Sequence, residues 1–206
     1  MRALGAAPAT LREACAQEVV VLCVPIRELE RLLRRVRRLL LPGALVMDTC
    51  SVKERPARAM KSLLPKSVDI LATHPNFGPD SAAESLRGRT VIACRVRVGR
   101  ARCAKVRRAL ERKGLEVVEM TPREHDRRMA SSLALTHLIG RALIRYGAKP
   151  TRVDTEGYKR LLRILQTVQN DSWQLFEDMN RYNAFAAPMR RRFLAALASV
   201  DRKVRG

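Results

Sequence analysis

No Gly-x-Gly triplet occurs anywhere in these 206 residues. A dinucleotide-binding fold opens with that turn, between its first strand and first helix, so the opening of such a fold is not to be found here. There is also no Cys-x-x-Cys pair and no His-Glu-x-x-His, which leaves no ligand spacing for a zinc site, and none is expected. Aromatic residues make up only 4% of the chain, and no aromatic pair of the kind that stacks RNA bases appears. No apolar run approaches the roughly 20 residues of a membrane span. The longest, Val19 to Val24, reads as a buried strand. The N-terminus lacks the basic-then-apolar pattern of a signal peptide, which makes the cytoplasm the expected location.

Acidic charge is scarce too. Twenty Asp and Glu stand against 41 Lys and Arg, a formal net charge of +21. Such an excess points to polyanions. The basic residues run along the whole chain, however, and an arginine-rich, Ala- and Leu-rich usage fits a codon bias equally well. Nonspecific electrostatic binding is expected and sequence-specific nucleic-acid recognition is not. The five cysteines are expected to be buried free thiols.

What is present is an alternation. Apolar runs at 18–25, 44–50, 68–74, 90–96 and 116–120 read as strands. Between them, 26–41 carries a helical apolar stripe from Ile26 to Leu40, 56–64 reads as a short helix opened by Pro56, and 101–113 as a helix stopped by Gly114. Strands alternating with helices predict a mostly parallel α/β sheet. From Thr121 the pattern changes. Thr121, Pro122 and Glu124 make a helix-opening capping box, a helix runs to about Tyr146, and the rest reads as helix apart from a loop near Gly147 to Asp154. The expectation is an α/β domain over 1–121 followed by an all-α domain over 122–206.

Three stretches carry polar chemistry. In "DTCSVKERP", an N-cap at Ser51 would put Pro56 inside the helix at about 3 kcal/mol. A helix starting at Pro56 instead leaves 51–55 as a loop at the carboxyl edge of the sheet, where α/β ligands bind. In "THPNFGP", His74 ends a strand where the sheet meets solvent, as a turn histidine or as a base titrating near pH ~6.5. If the two strands are neighbours, Ser51 and His74 can approach. In the helical half, His125 and His137 are twelve residues apart, and His137 falls on an apolar side, as a core histidine or a ligand contact. Lys159 and Arg163, four apart, could clamp a carboxylate or form a solvated basic face.

Together "VVVLCVP", "DTCSVKERP", "ILATHPNFGPDS", "EVVEMTPREHDRRMASSLALTHLIGRAL" and "DTEGYKRLLRILQTVQNDSWQLFEDMNRYN", in this order from Val19 to Asn183, resemble the arogenate/prephenate dehydrogenase family, most closely the plant arogenate type. The resemblance implies a Rossmann-like NAD(P)-binding domain, a helical dimerisation domain forming a homodimer, and oxidative decarboxylation of arogenate or prephenate in tyrosine biosynthesis. It implies His74 as proton acceptor at the substrate 4-hydroxyl and Ser51 as the residue that positions hydroxyl and nicotinamide. Pro25, Ser51 and Lys53 are implied cofactor contacts for NADP or NAD. His137, Arg163 and, more weakly, Lys159 are implied substrate contacts. Asp80, six residues after His74, could pair with the amino group that arogenate has and prephenate lacks.

The family's first strand, Gly-rich loop, first helix and second strand have no counterpart here. A truncated Rossmann-like sheet is therefore expected, belonging either to a longer enzyme or to a catalytically inactive relative that serves as a dimerisation or binding module.

Overall fold

The computed structural model describes residues 6–78, 82–83 and 85–205. Their contacts divide the chain into two units, Met1–His125 and Asp126–Gly206.

The first unit is built on five strands, β1 (Val19–Leu22), β2 (Leu45–Asp48), β3 (Asp69–Pro75), β4 (Thr90–Arg97) and β5 (Glu116–Glu119), lying in that same order across one sheet. β1–β2, β2–β3 and β4–β5 pair in parallel, and β3–β4 antiparallel. This is the mostly parallel, Rossmann-like sheet anticipated from the alternation. All four residues of β2 are buried, as befits a strand covered on both faces. Leu45, Met47, Leu71 and Ala93 from three adjacent strands pack with Cys103, which belongs to α4 (Arg100–Glu111). α2 (Leu29–Val36) turns Leu29, Leu33 and Val36 inward and its arginines outward, the stripe a 3.6-residue period dictates. A five-residue helix, α1 (Leu11–Cys15), precedes β1 and carries a capping box between Thr10 and Glu13.

Two helix boundaries differ from expectation. The stripe over 26–41 does not form one helix: Ile26–Glu28 is a 3₁₀ turn, and α2 stops at Val36. Leu41 precedes Pro42, which disfavours helical geometry there, and Gly43 takes a left-handed φ of 78° on the way into β2. The second helix, α3 (Glu54–Leu63), begins two residues before Pro56. The first turn of a helix has N–H groups without intrahelical acceptors, so a proline at its third position sacrifices no bond. The loop after β2 is correspondingly short.

The second unit is helical. α5 (Pro122–Met129), whose first turn belongs to the first unit, is capped by Thr121 Oγ1, which accepts from Glu124 N at 3.1 Å. A π-helical turn at Ala130–Ala134 separates it from α6 (Leu135–Tyr146), so the single helix expected up to Tyr146 is interrupted. α7 (Glu156–Val168), α8 (Trp173–Arg181) and α9 (Ala186–Val204) follow. α6 and α7 meet at Gly140, where a Cβ would stand 2.6 Å from Val168 Cγ2 and 3.0 Å from Ile164 Cγ2. Among the described residues no helix is long and apolar enough to cross a membrane.

Candidate active site

β2 and β3 are parallel neighbours, with Asp48 opposite Ala72. The polar stretches that follow them therefore share the carboxyl edge of the sheet. Asp48 and Lys53 are both fully buried and ion-paired. Asp48 Oδ2 also accepts from Cys50 N at 3.1 Å, and its Oδ1 from Thr73 N at 3.2 Å. Lys53 Nζ donates to the Thr73 carbonyl, and the Thr73 hydroxyl to that of Asp48. One ion pair with its hydrogen bonds thus ties the end of β2, the turn after it and β3 together. Burial and the neighbouring Asp48 carboxylate push the Cys50 thiol far up, so it stays protonated.

That tie sets the positions on either side of it. Ser51 lies inside the turn, and its Oγ is enclosed with no hydrogen-bond partner among the described residues. Such an orphaned hydroxyl costs about 1–3 kcal/mol, a penalty that a polar ligand at this edge would relieve. Pro25 lies exposed beyond the end of β1 and leads into the 3₁₀ turn. Lys53, by contrast, presents no ammonium to solvent.

His74 is the residue after Thr73 and sits within β3, opposite Ile92 of β4. The expectation that it stands where the sheet meets solvent is not met: it is only 5% exposed. β4 pairs with β3 as far as Pro75, so His74 lies within the sheet and not at its open end. Its Nδ1 lies 2.9 Å from Nε2 of His125, with the rings edge-on at 72°. His125 is itself fully buried in the first turn of α5. Burial, then His125, then the Lys53 ammonium hold the His74 imidazole well below the usual histidine range. It is therefore neutral at physiological pH, with Nε2 unpartnered among the described residues.

The second unit holds the other residues. His137 is 2% exposed, its Nε2 is 3.4 Å from Asp171 Oδ2, and its Nδ1 has no partner among the described residues. Burial lowers its pKa, partly opposed by Asp171. One turn further along α6, Arg141 donates to the carbonyls of Asp171 and Ser172 and lies 4.7 Å from the Trp173 ring centroid, its Nε left without a partner among the described residues. Lys159 and Arg163 are exposed on α7. Lys159 is taken up by Glu156 at 2.7 Å, whereas Arg163 has no ion pair among the described residues. Asp80 lies outside the described residues.

Sequence reasoning named His125 but gave no role to it or to Asp48. The capping signal at Thr121 fixes where α5 begins, and hence that His125 falls one turn in. Nothing local says that this turn packs against β3.

Comparison with known proteins adds the following. Residues 4–119 match the prephenate dehydrogenase nucleotide-binding domain, and residues 142–206 match the TYRAAT1-like C-terminal domain. The chain is 37% identical over 199 residues to arogenate dehydrogenase 2, chloroplastic, of Arabidopsis thaliana, covering 92% of this chain and 54% of that protein. It is 33% identical over the same length to arogenate dehydrogenase 1, chloroplastic, of the same plant, covering 30% of that protein. The chain thus spans about half of the first relative and less of the second. In fold it resembles the crystal structure of prephenate dehydrogenase from A. aeolicus with hydroxyphenyl propionate and NAD+, with a TM-score of 0.75 at 21% identity over 96% of this chain and 73% of that one.

Proposed function

The chain belongs to the arogenate/prephenate dehydrogenase family, and within it we propose that these residues serve the oxidative decarboxylation of arogenate in tyrosine biosynthesis, with His74 as the proton acceptor. The observation that carries this is a buried imidazole kept neutral beside the carboxyl edge of a parallel sheet, one ring nitrogen engaged and the other open.

A nicotinamide dinucleotide, NADP or NAD, supplies the hydride acceptor when bound. The enclosed, unpartnered Ser51 hydroxyl and the exposed Pro25, beyond the ends of β2 and β1, fit the nicotinamide end of such a group. Lys53, wholly buried against Asp48, supports them from beneath by fixing the turn.

As hydride leaves C4 of the cyclohexadienol, His74 takes the proton of the 4-hydroxyl. The bond to the ring carboxylate breaks, its electrons enter the ring, and CO₂ departs. The proton returns to the phenolic oxygen. Ser51 orients the hydroxyl. Aromatisation drives the step, so alignment and a neutral base are what the protein must provide. Among the described residues Arg163 has no ion pair and His137 Nδ1 no hydrogen-bond partner, so the guanidinium is offered for a substrate carboxylate and the imidazole for a polar contact.

Arogenate is preferred to prephenate because both plant relatives carry that name, and because Asp80 offers a carboxylate for its amino group. The division of labour between an NAD(P)-binding part over 1–121 and a helical part over 122–206 belongs to this proposal, as does a cytoplasmic location. So does a homodimer through the C-terminal helices. Leu194, Leu197, Val200 and Val204 form an exposed apolar stripe along α9, and burying it against a second copy would remove it from water.

The test is reduction of NAD and NADP by the folded chain with arogenate and with prephenate. Reduction with arogenate supports the proposal. A folded chain silent in all four pairings contradicts it and favours a noncatalytic dimerisation or binding module.

A further inference from the structure

The helical unit contains a bowl that the proposed reaction does not use. Its volume is about 450 Å³, and it lies between the junction of α5 with α6 and the start of α9. Leu135 forms its apolar wall on one side, and Phe185, Met189 and Phe193 on the other. All four side chains are half-buried. A concave site of this volume with an apolar and aromatic lining has the make-up of a small-molecule site. Its wall also includes Ala130 and Ser131 of the π-helical turn, a rare distortion that is frequent at functional sites. None of the lining residues is acidic, and two of them are Arg127 and Arg192. Both arginines are exposed, and neither has an ion pair or hydrogen bond among the described residues. A free arginine is ordinary in a chain with a net charge of +21. What distinguishes these two is that they come from different helices and border one apolar cavity with no acid in it.

We propose that this bowl binds a small aromatic carboxylate, with its ring against Phe185, Met189 and Phe193 and its carboxylate between Arg127 and Arg192. Guanidinium groups match a carboxylate with paired N–H donors. A ring buries apolar area against the two phenylalanines and meets a polarisable thioether at Met189. Charge decides against a second copy as the occupant. It would bring its own excess of positive charge to a cationic rim. The apolar stripe of α9 offered to a second copy above begins at Leu194, beyond the residues of the bowl. None of those residues enters the reaction proposed above, so binding here stands or falls independently of that reading.

Methyl NMR of the full chain, labelled at methionine and titrated with 3-phenylpropionate, tests this at the site itself. Met189 is one of seven methionines, and a Met189→Leu sample assigns its signal. The Met189 methyl should shift saturably, with a Kd of about 1 mM or tighter. The neutral 3-phenylpropanamide should bind at least about 10-fold more weakly, and Arg127→Gln and Arg192→Gln should each weaken the carboxylate by about the same factor. Both arginines are exposed, so these variants keep the fold. Arg163→Met should leave the titration of Met189 unchanged, which separates the bowl from the substrate contacts proposed above. A Met189 methyl that ignores 3-phenylpropionate overturns the proposal, as does an equal response to the amide. So does a shift that survives in both arginine variants or is lost in Arg163→Met. A Met189 signal that moves with protein concentration and not with the probe means that a second copy fills the bowl, and that too overturns it.

Discussion

The Asp48 carboxylate and the Lys53 ammonium are both cut off from water and face each other across the five-residue turn that ends β2. Two buried charges are tolerated only as a pair, and removing one leaves the other uncompensated at about 3–5 kcal/mol. Lys53→Met should therefore lower the denaturation midpoint strongly. Adding Asp48→Asn should recover part of the loss, because the orphaned charge goes with it. A Lys53→Met chain as stable as wild type would mean that the pair does not organise this edge.

A second expectation concerns the crossing of α6 and α7. A Cβ at Gly140 would meet Val168 Cγ2 at 2.6 Å and Ile164 Cγ2 at 3.0 Å. Both neighbours are β-branched and cannot swing away freely. Gly140→Ala gains up to about 1 kcal/mol of helix propensity but forces the helices apart at about 1–3 kcal/mol. Net destabilisation is expected in chemical denaturation, and a stabilised variant would show that the helices yield without cost.

Stability should also depend on pH through the buried histidines. His74 and His137 both have native pKa values below the usual 6.5. Above about pH 6.5 both are neutral in either state, and they contribute no slope. Below it the unfolded chain binds protons that the native chain does not, so stability falls as pH falls, by at most about 1.4 kcal/mol per pH unit for each histidine. His74→Gln should flatten the decline between pH 6.5 and 5, whatever it does to absolute stability. An unchanged slope would mean that His74 titrates alike in both states.

The two cations of α7 should separate in their effect. Lys159 is held by Glu156, i to i+3, on an exposed face. Arg163 is uncommitted among the described residues. Arg163→Met should raise KM for a carboxylate substrate by about 10-fold or more, the worth of a lost charged hydrogen bond. Lys159→Met should change it by less than about 3-fold. Equal effects would favour the clamp of both cations.

The strands were legible because apolar runs such as Val19–Leu22 and Leu45–Asp48 are short and bounded by turn residues. The change to helix after Thr121 was legible because the capping signal there is local. Boundaries were not. Pro56 looked like a helix opener, yet the first turn tolerates it two positions further in. That His74 lies within the sheet depends on β4, a strand some fifteen residues further on that returns antiparallel and pairs with the end of β3. The pairing of Asp48 with Lys53 needs a turn tight enough to fold a long side chain back under its own strand, and the contact of His74 with His125 bridges 51 residues. Such relationships arise from tertiary packing, which no local pattern encodes. The neutral, oriented imidazole, on which the proposed chemistry depends, is a product of that packing.

The most direct measurement is single-turnover reduction of nicotinamide by His74→Asn beside wild type, with arogenate binding followed separately by calorimetry. The rate should fall by about 10²–10⁴ with binding kept within a few-fold. A His74→Asn chain that binds arogenate and reduces nicotinamide at near the wild-type rate would remove His74 from the reaction and contradict the account.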